Sequence, residues 1–246
     1  FYSSMLDIIR GIMSTALKDN EYLRFAVITG CLHIAKESIF TGTNNFVSYS
    51  VLDEEFSEYF GFSDREVAEL LSAADRMDKA DAIREWYDGY VFGNHYVYCP
   101  WDVMSYISAL RKRKNAKPKN YWEFTSHNGI LLNFVKRTDF RVKSKFEILM
   151  NGGTIVQRIS DKISYDTLHS SEDNLWSVIL MTGYLTKADA KEEGETVSLK
   201  IPNREIASIF EDTVVTYFKN TLDDSVQRSM IDAFWSCDER TASRTI

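Results

Sequence analysis

The spacing of hydrophobic residues predicts several helices along the chain. Over residues 8–17, apolar side chains recur every three or four positions, as on one face of an amphipathic helix. Ser63 followed by Glu66 matches a capping box and predicts a helix that begins after Ser63. Pro100 suits the first position of a helix, where no backbone N–H is needed. Further helices are predicted over residues 75–87, 122–150, 175–182 (with Gly183 as C-terminal cap) and after Asn203 as N-cap.

Other stretches have the pattern of strands. Residues 25–31 are nearly all apolar with a β-branched centre, which is typical of a strand buried on both faces of a parallel sheet. Ligands of such sheets bind beyond the carboxyl ends of the strands, so Thr29 and Gly30 are expected at a ligand edge. Residues 197–201 alternate in polarity and pair with residues 184–187 in a predicted hairpin, and residues 164–168 form a shorter candidate strand.

These elements predict a protein that is mainly α with some β. Helix, hairpin and helix from residue 175 onward form the outline of a winged helix. A chain of 246 residues corresponds to one large or two small domains. No internal repeat or low-complexity segment interrupts the pattern.

Composition narrows the class of protein. With 44% hydrophobic and 26% charged residues, the chain has the composition of a folded protein and not of a disordered one. Its apolar runs fall far below the roughly 18 residues of a membrane span, so no membrane partner is expected. The three cysteines are far apart and lack ligand spacing, which favours a reducing, cytoplasmic setting over a disulfide framework.

The chain has a net charge of −7, and its charged residues are unevenly distributed along the sequence. Residues 53–88 hold 12 acidic and 4 basic residues, whereas residues 111–145 hold 11 basic and 2 acidic ones. Two modules, or two surfaces with different partners, are therefore indicated. The run of Arg111, Lys112, Arg113 and Lys114 is a candidate contact for nucleic-acid phosphates, although such runs are more often solvated loops.

The motifs of common active sites are missing from the sequence. A phosphate-binding loop ends in Gly-Lys followed by a hydroxyl residue, and the chain has no Gly-Lys pair. GxSxG, HExxH and a nuclease carboxylate cluster are also missing, and the four histidines are isolated. We therefore expect no catalytic residue and no metal site within this chain.

Several short motifs nevertheless resemble those of one family. Residues 29–45 resemble a signature of the AAA-ATPase-like proteins, which are bacterial P-loop ATPases often fused to a C-terminal PD-(D/E)XK nuclease-like domain. The likeness continues, in the family's order, over residues 60–62, 86–90 (Trp-Tyr-Asp-Gly-Tyr), 98–101, 120–122, 182–185 and 201–205 (Ile-Pro-Asn-Arg-Glu). Two positions depart from it: His33 replaces the usual Arg, and Cys99 replaces the usual Asn.

The resemblance implies that the chain is the middle of a longer protein. The Walker A and B motifs would precede it and the nuclease-like domain would follow it. Residues 1–50 would then end the P-loop core, residues 51–115 would form a helical lid, and residues 116–246 would form a winged-helix-like domain and a linker. ATP and Mg²⁺ are implied for the whole protein, and neither is expected to bind this chain alone.

The resemblance also implies roles for a few residues. Thr29 would sense the γ-phosphate, or it would merely close the strand, and Gly30 would lie beside it. Lys36 would reach phosphate, or it would lie on a solvated turn. Pro100 and residues 86–93 would form a lid turn near the base, or their aromatic side chains would be lid core.

Two functions follow as expectations. The first is the regulatory and lid part of an ATPase that couples nucleotide state to a nuclease-like domain. The alternative is a non-catalytic winged-helix module that binds nucleic acid or docks to protein. Because residues 175–182 contain no Lys or Arg, docking is the favoured form of that alternative.

Overall fold

The computed structural model describes residues 2–18, 20–30, 47–122, 140–160, 171–190 and 196–221. Over these residues the chain is mainly α with short antiparallel sheets, as predicted. The helices are α1 (Tyr2–Leu17), α2 (Asp64–Ala73), α3 (Ala80–Tyr87), α4 (Pro100–Lys112), α5 (Phe140–Met150), α6 (Glu172–Met181) and α7 (Arg204–Thr221). The strands are β1 (Tyr90–Phe92), β2 (His95–Val97), β3 (Ile155–Arg158), β4 (Thr186–Lys187) and β5 (Thr196–Lys200).

The segment after α1 differs from the prediction. The buried strand predicted over residues 25–31 is absent from residues 25–30, which have no regular secondary structure, and Cys31 lies outside the described residues. Phe25 is 76% exposed and Val27 is 75% exposed. A strand needs partners for its backbone N–H and C=O groups, and every described strand pairs within one of two other sheets. An apolar run alone therefore did not suffice to form one.

Helices α2, α3 and α4 pack around the first of two hydrophobic cores, and we call these three helices the three-helix unit. Ser63 and Glu66 form the predicted capping box at the start of α2, which confirms that helix boundary. The helix predicted over residues 75–87 begins only at Ala80, because Asp75 has a φ of 54° and Met77–Lys79 form a 3-10 turn. Pro100 occupies the first turn of α4, as predicted. The core contains Val67, Leu71, Ile83, Tyr87, Tyr98, Val103, Tyr106, Ile107 and Leu110.

Helices α5 to α7 pack with a three-stranded sheet, and together they form the sheet unit. Its strand order is β3–β5–β4 and both pairings are antiparallel, with Ile155 opposite Leu199 and Thr186 opposite Lys200. The predicted hairpin, the helix ending near Gly183 and the Asn203 cap of α7 are all confirmed. The core is built around Trp176, Ile179, Leu185, Leu199, Ile206 and Phe210.

Two strand pairings were not predicted. Strands β1 and β2 form a hairpin where only a turn was expected, and β3 follows α5. Of the helix predicted over residues 122–150, α5 covers Phe140–Met150, and residues 123–139 lie outside the described residues. The candidate strand at residues 164–168 lies outside them too. In the part of the chain that the structure describes, no helix has the length and apolar character needed to cross a membrane.

Candidate functional site

The most unusual chemistry lies where the two units meet. Asp102 in the first turn of α4 and Glu205 in the first turn of α7 are only 2% and 1% exposed. Carboxylates are almost never this buried unless they are paired. We call the two carboxyl groups, with the backbone of Tyr121 and Trp122, the carboxylate junction.

Helix capping places Glu205. The side-chain oxygen of Asn203 accepts a hydrogen bond of 3.1 Å from the backbone N–H of Ile206, which starts α7 at this point. Glu205 Oε1 then accepts hydrogen bonds from the backbone N–H groups of Tyr121 and Trp122, at 2.5 and 2.9 Å. The side chain thereby fixes a non-helical segment of the three-helix unit to α7.

Asp102 is placed by the start of α4. Pro100 at the first position of the helix brings Asp102 into the first turn, where the positive end of the helix dipole favours an acid. Cys99, at the N-cap, makes no capping hydrogen bond. Its thiol lies beside the Asp102 carboxyl. Oδ1 of Asp102 is buried and has no hydrogen-bond partner among the described residues.

The electrostatics of the junction favour neutral groups. Burial, together with the Asp102 carboxylate, raises the pKa of Glu205 to about 8, although the backbone N–H groups of Tyr121 and Trp122 oppose the change. Burial also raises the pKa of Asp102, against the opposing effect of hydrogen bonds to Cys99 and Glu205. Two buried carboxyl groups that each change the pKa of the other are expected to hold one proton between them.

Family-like motifs surround the junction. An added Cβ at Gly89 would lie 2.1 Å from the carbonyl oxygen of Pro202, so the two motifs that contain these residues touch through their backbones. The Arg204 guanidinium lies 5.2 Å from the centre of the Trp86 ring and pairs with Glu85 at 2.5 Å.

Aromatic packing extends the same contact region. The rings of Trp122 and Tyr184 meet edge to face at 4.8 Å, and Gly183 lies against Trp122 and Tyr90. The backbone N–H of Val91 donates to the Thr186 hydroxyl at 2.8 Å, which connects β1 to β4. Motif segments that are remote in sequence therefore form one packed region.

A second buried polar group lies at the β1–β2 turn. Lys187 is buried, and its Nζ donates to the carbonyl oxygen of Gly93 at 2.5 Å. Nearby, the Ser57 hydroxyl lies 2.8 Å from Nδ1 of His95 and also donates to the Glu54 carbonyl oxygen. That carbonyl takes the hydroxyl proton, so the pair has the geometry of a turn fastening and not of an activated nucleophile.

The residues predicted to lie near the nucleotide have different surroundings in the structure. Thr29 and Gly30 are exposed in the irregular segment after α1, and an added Cβ at Gly30 would meet nothing within 4 Å. Pro100 is half-buried at the start of α4. Lys36 and His33 lie outside the described residues. Among the described parts of the chain, no group of three or more His, Cys, Asp or Glu side chains is placed to hold a metal ion. The described residues by themselves thus do not fit the phosphates of ATP and its Mg²⁺.

The predicted nucleic-acid residues are exposed at the end of α4. Arg111 and Lys112 end α4, Arg113 and Lys114 follow it, and all four are exposed. No ion pair between described residues includes them. The backbone that follows is folded back, because Tyr106 and Tyr87 bond its carbonyl groups.

Sequence reasoning missed Asp102 and Glu205. Each is an acid in the first turn of a helix, and such acids are ordinarily exposed partners of the helix dipole. The available signal for Glu205 was its place in the motif over residues 201–205, which carried the resemblance without a role for the Glu. For Asp102 the signal was the neighbouring Cys99, where the family usually has an Asn.

Comparison with known proteins adds one relative. The chain is 26% identical over 218 residues to an uncharacterized protein in the vnfD 5′ region of Azotobacter chroococcum mcd 1. The match covers 86% of this chain and 38% of that protein, so the chain spans well under half the length of this relative. No family model and no solved structure matches the chain.

Proposed function

We propose that this chain is the lid and winged-helix part of an AAA-ATPase-like protein. In this proposal, residues outside the chain supply the phosphate-binding loop and the Mg²⁺ ligands. The chain then couples the nucleotide state of a cytoplasmic ATPase to a C-terminal nuclease-like domain. By itself it would be inactive.

One observation carries the proposal. The short motifs that resemble the family contact one another around the junction, over residues 86–90, 98–101, 120–122, 182–185 and 201–205. Short matches that arose by chance would have no reason to meet in space. Their convergence supports a shared architecture, and the match to a relative more than twice as long is compatible with it.

The topology of the sheet unit supports the winged-helix part of the proposal. Helix α5, strand β3, helix α6 and the hairpin β4–β5 follow in the order of a winged helix, with the first strand beside the last. In this proposal, helix α6 would correspond to the recognition helix. Residues Trp176 to Leu180 of this helix are buried, and its first turn is acidic, so it suits packing and not DNA.

ATP binding is the direct test. We expect this chain to bind ATP negligibly, and the same chain extended by the residues encoded upstream of Phe1 to bind it tightly, as measured by isothermal titration calorimetry with Mg²⁺. Equal, tight binding by both proteins would refute the proposal. So would an upstream sequence without a Gly-Lys-hydroxyl loop.

Thr29 is tested within the extended protein. As a γ-phosphate sensor it would hydrogen-bond the phosphate or its attacking water, so Thr29→Val is expected to lower ATP turnover about 100-fold while ATP affinity changes little. Thr15→Val, which removes an exposed hydroxyl from α1, is the matched control and should retain full turnover. Equal turnover in both variants would remove Thr29 from the proposal.

The exposed bases favour a second candidate function, binding to nucleic acid. Four adjacent cations without described ion pairs can contact phosphates, and such binding weakens steeply with salt. Under this alternative, the chain binds duplex DNA at low salt and loses that binding when Arg111, Lys112, Arg113 and Lys114 become Ala. Absence of DNA retention at low salt, measured by fluorescence anisotropy, would eliminate it.

A further inference from the structure

The carboxylate junction has two buried acids and no described countercharge. No ion pair between described residues includes Asp102 or Glu205. Arg204, which precedes Glu205, points its guanidinium to Glu85 and Trp86. Among the residues that the structure describes, the titratable groups that face the pair are Cys99 before α4, Tyr90 in β1, Tyr87 in α3 and Tyr121. None of these is a cation, so two carboxylates here would repel each other with hydrogen bonds but no positive charge to offset the repulsion.

The hydrogen bonds show where a proton is needed. Glu205 Oε1 is fully used, because it accepts from two backbone N–H groups. Asp102 Oδ1 is buried and accepts no hydrogen bond from a described residue. The Asp102 and Glu205 carboxyl groups lie within hydrogen-bonding reach of each other. A proton on the second oxygen of Glu205 would give Asp102 a donor, whereas without it both acids are acceptors only.

We propose that Asp102 and Glu205 share one proton, and that this proton is a latch that holds the three-helix unit against the sheet unit. With the proton present, α4 and α7 are joined through the two carboxyl groups. When the proton is lost, repulsion separates the carboxylates and releases the Tyr121–Trp122 backbone from α7. The latch would make the rigidity of the junction depend on pH, whatever the protein's nucleotide chemistry.

The direction of the pH effect follows from proton linkage. In the unfolded chain, Glu205 loses its proton near its ordinary pKa of 4.5. In the folded protein the pKa of Glu205 is raised, so the folded state retains a proton that the unfolded state has released. The stabilisation is therefore complete at acidic pH, falls as pH rises from about 5 to 8, and is lost above that range.

Replacing Glu205 by Gln tests the latch. The Gln carbonyl oxygen can accept the two backbone hydrogen bonds, and its NH₂ can donate to Asp102 at every pH, as the protonated Glu would. We expect the unfolding equilibrium constant of the 246-residue chain, relative to that of Glu205→Gln, to rise about 50-fold from pH 6 to pH 8 in urea unfolding. Amide exchange at Tyr121 and Trp122, corrected for its intrinsic pH dependence, should accelerate over the same range in the wild type alone.

Other buried acids do not affect the difference in pH dependence between the wild type and Glu205→Gln. Burial raises the pKa of Asp88 too, but Asp88 is present in both proteins and its contribution cancels. Parallel pH profiles for the wild type and Glu205→Gln would overturn the proposal. Should the variant fail to fold, carboxyl ¹³C NMR of wild-type Glu205 decides instead: a titration midpoint above pH 7 supports the latch, and a midpoint below pH 5 refutes it.

Discussion

Gly89 joins the two units through a direct backbone contact. Its φ of 109° lies in the left-handed region that favours glycine, and a Cβ there would lie 2.1 Å from the carbonyl oxygen of Pro202. Gly152 also has a positive φ, 78°, but an added Cβ would meet nothing within 4 Å. The two glycines therefore share a conformational requirement and differ in whether a neighbour is present.

Gly89→Ala is expected to destabilise the protein far more than Gly152→Ala. Backbone strain alone costs about 1 kcal/mol, and this is the expected loss for Gly152→Ala. The clash with Pro202 adds to that strain, so Gly89→Ala should lower the free energy of unfolding by about 3 kcal/mol or more. Urea unfolding of both variants measures the difference. Equal losses of unfolding free energy would mean that the backbone near Pro202 moves aside for the added Cβ without destabilising the protein.

At the scale of elements, the segment after α4 is held by two tyrosines. The Tyr87 hydroxyl donates to the Lys119 carbonyl oxygen at 2.9 Å and accepts from the Lys119 N–H at 3.1 Å. The Tyr106 hydroxyl donates to the Ala116 carbonyl oxygen at 3.0 Å. The basic segment, predicted as a loop or a helix end running into a linker, is thus fastened to the three-helix core while its cationic side chains stay exposed.

The two tyrosines give a matched pair of variants. Tyr87→Phe removes two hydrogen bonds and leaves a donor and an acceptor near the core unsatisfied, so we expect a loss of about 2–3 kcal/mol. Tyr106→Phe removes one bond and should cost about 1 kcal/mol. Hydrogen exchange should rise at Lys119 in the first variant only. A larger effect from Tyr106→Phe would contradict this account.

Helices were predictable from sequence because their signals are local. The Ser63–Glu66 capping box, Pro100 in the first turn of α4 and the Asn203 cap each lie within a few residues of the boundary that they set. Strands depend on partners. Residues 25–30 have the composition of a strand but no described neighbouring strand. Strand β3 pairs with β5 although its polarity does not match its burial, since Gln157 is buried and Val156 is exposed.

The carboxylate junction was beyond sequence reasoning for a related reason. Asp102 and Glu205 are more than 100 positions apart, and each alone resembles an ordinary acid of a helix first turn. Both side chains become buried only in the folded chain, where α3 packs against α7 and β1 packs against β4. The motifs that resemble the nucleotide-binding family include Tyr121, Trp122 and Glu205 of this junction but not Asp102. The phosphate contacts predicted at Thr29 and Gly30 stay predictions.

At the scale of the whole molecule, the junction connects two cores. The three-helix core and the sheet core are distinct clusters of buried side chains. Tyr90 and Val97, from the β1–β2 hairpin that connects α3 to α4, belong to the sheet core. Because one unit supplies residues to the core of the other, we expect the two units to unfold together.

Core substitutions in each unit test this cooperativity. Leu71 in the three-helix core and Leu199 in the sheet core are both fully buried, so each change to Ala should cost about 2–5 kcal/mol. Both variants should shift one common urea transition, seen at the same midpoint by circular dichroism and by tryptophan fluorescence. Val156→Ala, at a side chain 65% exposed on β3, is the control and should cost under about 1 kcal/mol. Independent units would instead give two transitions, with Leu71→Ala moving only one of them, and a rigid transfer of motion from the three-helix unit to the sheet unit would then lose its physical basis.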